Sequence, residues 1–277
     1  MTNFEYDAIV VGGGVAGLAA TMVLARARRR VLLIDAGRQN NLRTGHAGGV
    51  FLHDGEAPSA LYARAREQLA AYPTVEYHEG LVADAEAVAE ADGGGFRVDG
   101  VTTRTLVLAQ GVEFAPSAIP GADELWGSLV VHCPFCDGYE SRDQRVLVTG
   151  TDDYLAHMRA MLPLWVDDLT FAPQSEIARF DRDADSGRLR VTFGDGRVEQ
   201  FGRAFVQQPF TQRAGLADRL GCARVEAGPL TIDAMGQTTV PGVFAAGDQT
   251  AMAMAVNLAV GAGHLAGVGA VFALMQH

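Results

Sequence analysis

Cys133 and Cys136 stand three residues apart in Cys133-Pro134-Phe135-Cys136, with Asp137 directly behind and His132 directly in front. Two thiols at that spacing, at a helix start, can close to a disulfide and reopen. The partial positive charge of a helix N-terminus draws a thiol toward thiolate, and Pro134 suits the first turn. Half of a zinc site and a pair of core thiols are the competing uses. Structural zinc takes four ligands. The chain has three cysteines, the third being the remote Cys222, and no second Cys-x-x-Cys; His132 is the neighbouring candidate. Redox use is therefore expected, with no metal site, and Cys222 reads as a buried structural thiol. Asp137 has two readings: a carboxylate that steadies the helix dipole, or a titratable group that handles dithiol protons. His132 is a second proton-handling candidate and could favour the Cys133 thiolate. His46, His157 and His264 read as packed or surface residues.

A second constellation is Gly12-x-Gly14-x-x-Gly17, between the apolar run Tyr6–Val11 and an alanine-rich helix reaching about Arg30. Gly12 permits the tight turn, Gly14 lets backbone approach a pyrophosphate, and Gly17 lets helix and strand pack closely. The helix N-terminus then faces the phosphates. Val31–Ile34 is the next strand and ends at Asp35, whose carboxylate can accept from a ribose diol. This predicts a dinucleotide site and does not distinguish FAD from NAD.

The elements that must position these groups follow from the pattern. The 277 residues, 48% hydrophobic and 20% charged, allow a sizeable core, and 33 glycines suit an α/β protein with tight strand-to-helix turns. A net charge of −11 argues against nucleic acid as a partner. Ala60–Ala71 reads as an amphipathic helix. Val98–Arg104 and Thr105–Ala109 read as strands around Gly100. A second β-α-β pattern starts at Arg145–Gly150, short strands fill Leu189–Phe205, and Val240–Asp248 is a strand ending in glycine-aspartate. The apolar Ala251–Met275 reads as a buried helix, not a membrane span, since it holds Asn257 and His264 and lacks basic flanks. Acidic Glu5 and Asp7 lead straight into a strand, so no signal peptide is expected. With few cysteines, the expected compartment is reducing and cytoplasmic.

Taken in order, Gly12–Gly17 (GGGVAG), Leu108–Gly111 (LAQG), Cys133–Gly138 (CPFCDG) and Val240–Asp248 (VPGVFAAGD) resemble the low-molecular-weight thioredoxin-reductase-like flavoproteins over nearly the whole chain. Gln110 departs from the family's usual Ala-Thr-Gly. The likeness implies an α/β fold of two Rossmann-like domains, an FAD domain formed by both chain ends and a degenerate NADPH-type domain inserted between them. The expected division is 1–115 and 237–277 for FAD, with 116–236 in the middle. The likeness assigns FAD to Gly12, Gly14, Val15, Ala16, Gly17 and Asp35, with Val82, Ala109, Gly111 and Gly247 in the same set. It gives Asp248 the ribitol chain, and it points the last helix, near Ala255 and Val256, at the flavin pyrimidine, where a helix dipole would stabilise negative charge on reduced flavin. It also makes Cys136 the thiol nearest the flavin and Cys133 the one exchanging with substrate, and it implies a homodimer.

The middle domain breaks the family pattern. Its glycine loop reads Gly150-Thr151-Asp152-Asp153-Tyr154-Leu155. Asp152 stands where the second glycine belongs and Leu155 where a small residue belongs. A carboxylate about 4 Å from a pyrophosphate costs on the order of a few kcal/mol at a partly exposed site. The next strand runs out in Pro173-Gln174-Ser175, with no Arg or Lys for a 2′-phosphate. A divergent NADPH site using other contacts is the alternative. The expectation is a dithiol oxidase similar to those that close disulfides in small sulfur-containing natural products: a small-molecule dithiol reduces the Cys133–Cys136 disulfide, FAD takes the electrons, and O2 returns as H2O2. The rivals are a disulfide reductase fed by NADPH or another donor, and a flavin-bound redox sensor.

Overall fold

The computed structural model describes residues 4–89, 94–226 and 228–275. In chain order the elements begin with β1 (Tyr6–Val11), α1 (Val15–Arg26), β2 (Val31–Asp35), α2 (Pro58–Ala70), β3 (Val75–Glu79), β4 (Ala85–Ala87), β5 (Phe96–Val98), β6 (Val101–Leu108) and β7 (Val112–Phe114). Then come α3 (Ala122–Leu125), β8 (Val130–Val131), α4 (Pro134–Ser141), β9 (Val146–Gly150), α5 (Asp152–Met161), β10 (Leu169–Pro173), β11 (Ile177–Arg182), β12 (Leu189–Phe193) and β13 (Val198–Phe201). The chain closes with β14 (Arg203–Val206), β15 (Phe210–Gln212), α6 (Gly215–Arg219), β16 (Val243–Ala245) and α7 (Val256–Leu274).

The chain forms two compact units. One takes residues up to Gln39, Ser59–Glu113 and everything from Thr211 on; the other takes Asn40–Pro58 and Phe114–Phe210. The expected division at 115 and 236 is therefore displaced. Leu216, Cys222 and Leu230 fill a face of the first unit's sheet, which brings the stretch before residue 237 into that unit. The 40–58 segment joins the second unit, where Gly48 lies against the Cys136 carbonyl and Gly127 against that of Arg43.

In the first unit β3, β2, β1, β6 and β16 run parallel, and β5 and β4 continue antiparallel from the early half of β6. Alternate residues explain why these strands are apolar throughout. Ala8, Val10, Leu33 and Val107 face a core with α1 and α7, while Ile9, Val11, Leu106 and Leu108 face the core that holds Leu216, Cys222 and Leu230. The chain reverses between β5 and β6 at Asp99-Gly100, both at positive φ, so Val101–Leu108 is one strand and not the two expected. The first helix stops at Arg26, short of Arg30.

α7 packs on α1 through small residues. A side chain at Gly263 would strike the Ala16 carbonyl, and one at Gly267 would meet Ala20 and Val23. The helix is long and apolar enough to cross a membrane by length and composition alone. It is less covered than the expected buried helix: Leu258, Leu265 and Phe272 lie on an exposed face, while the small-residue side packs on α1.

In the second unit β10, β9, β14 and β8 form a parallel sheet. The antiparallel β11–β12–β13 covers one face through Phe180, Val191 and Phe201, and Leu155, Met158 and Leu162 cover the other. Since the four strands share a direction, the residues after each strand converge on one edge. Cys133 follows β8, Thr151 follows β9, Gln207 follows β14 and Gln174 follows β10. In open α/β sheets that edge is where ligands and chemistry sit.

Candidate functional site

The dithiol sits at the start of α4. Cys133 is its N-cap and Pro134 its first residue, and the N–H groups of Cys136 and Asp137 both donate to the Cys133 carbonyl at 3.1 Å. That first turn folds the two side chains toward each other. The thiols are half-buried, and Cys136 Sγ donates to Cys133 Sγ across 3.1 Å. The hydrogen bond from Cys136 lowers Cys133 from an ordinary 9.0 to about 7; the Cys136 and Phe135 N–H groups help, while burial and Asp137 oppose. Cys136 is pushed up, first because it keeps its proton to serve Cys133 and then by burial. Cys133 is thus the more acidic thiol of the pair and the better suited to act as nucleophile and leaving group. Phe135 stands exposed at the rim, edge-on to Trp165 with ring centres 5.2 Å apart. Gly138 lets that indole close in, since a Cβ there would lie 2.8 Å from Trp165 Cγ.

Asp137 is more than a dipole carboxylate. Its Oδ1 meets Arg203 Nη1 at 3.3 Å and His46 Nε2 at 3.5 Å, and all three side chains are largely buried. Burial raises its pKa, against the pull of Arg203 and His46, and Glu140 raises it further. His46 and Arg203 went unrecognised in the sequence. His46 reaches the site on the 40–58 segment and Arg203 on β14, and no local spacing links either to the dithiol.

His132 has a different place from the one expected. Its ring stacks on Trp126 (5.4 Å between centres, 16° between planes) and meets Phe114 edge-on. Burial lowers it to about 4, so it is neutral at pH 7. A neutral imidazole cannot stabilise the Cys133 thiolate by charge, which corrects that expectation; the Cys136 thiol and backbone N–H groups do so instead.

In the first unit, three glycines of the fingerprint behave differently. A side chain at Gly12 would run into the Ala109 carbonyl, and one at Gly17 into the Gly12 carbonyl. Gly14 has ordinary φ (−69°), and its Cβ would touch only Gln39 Cγ, at 3.9 Å. Packing therefore demands Gly12 and Gly17, whereas the space over Gly14 is of the kind a pyrophosphate needs. α1, with Val15 and Ala16 in its first turn, has no side-chain cap, and neither does α7 after Ala255, where Val256 opens the helix. A helix start without a side-chain cap suits an anionic ligand. Asp248 is pushed up by burial, and Gln110 Oε1 is buried without a protein partner. The buried Asp248 carboxyl and the orphaned Gln110 oxygen fit the ribitol and flavin ends of FAD. Gly247 has positive φ (79°) and passes close to Ala16, which brings Asp248 to the fingerprint. Gly111, also at positive φ, ends the strand turn after Ala109. Val82 is buried in the core, so its backbone is what a cofactor would meet.

Asp35 is already engaged. Its carboxylate accepts from Gln39 Nε2 at 2.9 and 3.0 Å and from the Gly37 N–H at 3.2 Å, and it hydrogen-bonds Tyr77. A ribose hydroxyl would reach it only as Gln39 yields.

The second unit's loop is built the opposite way. Thr151 caps α5 by accepting from the Tyr154 N–H at 3.4 Å, and Asp152 and Asp153 occupy the first turn. A Cβ on Gly150 would lie 2.6 Å from Tyr154 Cδ1 and 2.8 Å from Gln207 Cβ, and Gln207 Oε1 takes the Thr151 N–H at 2.8 Å. The helix N-terminus that would hold a pyrophosphate is filled by the protein's own groups. Arg159 lies over the Phe171 ring, 4.2 Å from its centre, and not at the end of β10.

Known proteins share this organisation. The model of the pyridine nucleotide-disulphide oxidoreductase family matches residues 6–151 and 164–264. The thioredoxin reductase tcpT of Claviceps purpurea is 32% identical, with 96% of this chain and 93% of that protein covered. The crystal structure of HlmI superposes with a TM-score of 0.89 at 32% identity, covering 98% of this chain and 92% of that one. An oxidoreductase from Agrobacterium tumefaciens gives 0.85, also at 32% identity, with 99% of each chain covered. The two Rossmann-like units, the open FAD cradle and the dithiol helix are those of an oxidoreductase, and this chain belongs to the pyridine nucleotide-disulphide oxidoreductase family, in its thioredoxin-reductase-like, FAD-binding branch.

Proposed function

We propose that the protein is an FAD-dependent dithiol oxidase that closes a disulfide in a small-molecule dithiol, with O2 as the final acceptor. The observation that carries this is the self-filled second loop. Thr151, Tyr154 and Gln207 take up the anion site, and two carboxylates guard it, which opposes NADPH as electron donor.

The chemistry at the dithiol follows from its electrostatics. A substrate thiolate attacks Cys133 Sγ, the Cys133–Cys136 bond breaks, and Cys136 leaves with the electron pair. The second substrate thiolate attacks the substrate sulfur of the mixed disulfide and expels Cys133. One S–S bond has broken and one has formed; the substrate is oxidised and the enzyme pair reduced. A thiol titrating near 7 is a good leaving group at neutral pH, so Cys133 suits this second step. The two substrate protons pass to Cys136 and to water, with Asp137 as the acid–base group beside the sulfurs. Gly14, Asp248 and the α1 and α7 N-termini would hold FAD, which would supply the acceptor for the pair's two electrons, with O2 as the final oxidant and H2O2 as its product. A homodimer in the cytoplasm goes with this reading as an expectation of the family likeness.

The names of the relatives favour a second reading, a thioredoxin-reductase-like disulfide reductase fed by NADPH or another donor. One experiment separates them. Purified holoenzyme in air with dithiothreitol should consume thiols and form H2O2, while NADPH under anaerobic conditions should leave the flavin colour unchanged. Rapid anaerobic bleaching by NADPH with no peroxide from dithiol would establish the reductase instead.

A further inference from the structure

The 40–58 segment lies against the dithiol helix and is internally braced. Ala47 N–H donates to the Glu56 carbonyl at 2.8 Å and Gly55 N–H to the Ala47 carbonyl at 3.0 Å. Thr44 Oγ1 donates to the His46 carbonyl at 3.0 Å. Gly48 packs so closely on the Cys136 carbonyl that no side chain would fit there. These contacts place a histidine beside Asp137, on backbone packed directly against that of Cys136.

His46 and Arg203 meet the same oxygen of Asp137, Oδ1. We propose that His46, together with Arg203, is a positioning residue that anchors Asp137 Oδ1 so that Oδ2 exchanges protons with the dithiol and its substrate. The proposal rests on the dithiol exchanging with substrate thiols and not on what reoxidises the flavin. The charged and titratable groups that face Asp137 are Arg203 from β14, His46 from the 40–58 segment, Glu140 from its own helix, and the two cysteine sulfurs. Glu140 Oε2 also lies 4.0 Å from His46, so the imidazole bridges two carboxylates. Burial and Glu140 favour the protonated acid while Arg203 and His46 favour the carboxylate. Removing His46 therefore moves Asp137 to a higher pKa, and the acid form persists to higher pH.

The test uses oxidised holoenzyme and dithiothreitol under anaerobic conditions. Alkylation and peptide mass report the state of Cys133 and Cys136 over time from pH 5 to 9, so neither O2 nor NADPH enters. With each rate divided by the thiolate fraction of dithiothreitol, His46→Gln and His46→Ala should both move the remaining acid limb of the exchange rate to higher pH. Asp137→Asn should remove that limb and slow exchange by roughly 10²–10⁴-fold. Visible flavin spectra and circular dichroism confirm that each variant is folded. An acid limb at the wild-type pH in both His46 variants, whatever the rate, overturns the proposal, as does a limb that survives in Asp137→Asn. Absence of peroxide in air would instead overturn the oxidase reading and leave this result intact.

Discussion

Cys136→Ala should detach the Cys133 thiolate from its main support. In the structure, the Cys136 hydrogen bond at 3.1 Å is the largest cause of the fall from 9.0 to about 7, and the backbone N–H groups contribute less, against burial. Losing that donor should return Cys133 to about 8.5, the ordinary value for a free thiol. At pH 7 its thiolate fraction would fall from about one half to about one thirtieth, roughly 15-fold. The more basic sulfur is intrinsically more nucleophilic, by about fivefold for 1.5 pH units at a Brønsted slope near 0.45. Net alkylation at pH 7 should therefore slow only about threefold, whereas above pH 9 the variant should react about fivefold faster. The two rate–pH curves should cross. The assay is iodoacetamide labelling of reduced enzyme from pH 5 to 10, with the Cys133 peptide followed by mass spectrometry. A variant midpoint that stays near 7 would refute the reasoning, because the helix terminus and backbone would then suffice to hold the thiolate.

Other predictions follow from single geometric observations. Gly14→Ala should fold with stability within about 1 kcal/mol of wild type, since its φ is ordinary and little lies near its Cβ, yet purify without flavin; flavin absorbance per protein reads this. Gly138→Ala should destabilise by about 1–3 kcal/mol through overlap with Trp165, measured by urea unfolding. His132 is held neutral, so its folded pKa (about 4) lies below its ordinary 6.5. Between those values the unfolded chain binds the extra proton, so stability falls as pH drops from about 6.5 to 4, by on the order of 3 kcal/mol. His132→Phe keeps a ring against Trp126 and should lose this part of the acid sensitivity; identical pH–stability curves for the two proteins would sink the assignment.

Locally coded features were legible. Gly12-x-Gly14-x-x-Gly17 and Cys133-x-x-Cys136 act within one or two helical turns, so spacing alone places their atoms, and the apolar runs of β1 and β2 declare strands covered on both faces. The departure of the second glycine loop from its pattern was visible for the same reason, as Asp152 stands at a position defined by local spacing. Contacts between distant segments were not legible. Periodicity carries no sign that Gln39 and Tyr77 occupy Asp35, that Tyr154 and Gln207 cover Gly150, or that residues 40–58 leave the first unit for the second. The environment of each titratable group was equally hidden. A sequence names His132 and His46 alike, but desolvation between aromatic rings silences the first, and a shared oxygen on Asp137 engages the second. The sequence by itself determined that a dithiol and a dinucleotide site share this chain. Tertiary structure decided which sulfur is the thiolate and which carboxyl, histidine and arginine attend it, because burial and charge proximity are properties of packed space and not of spacing along the chain.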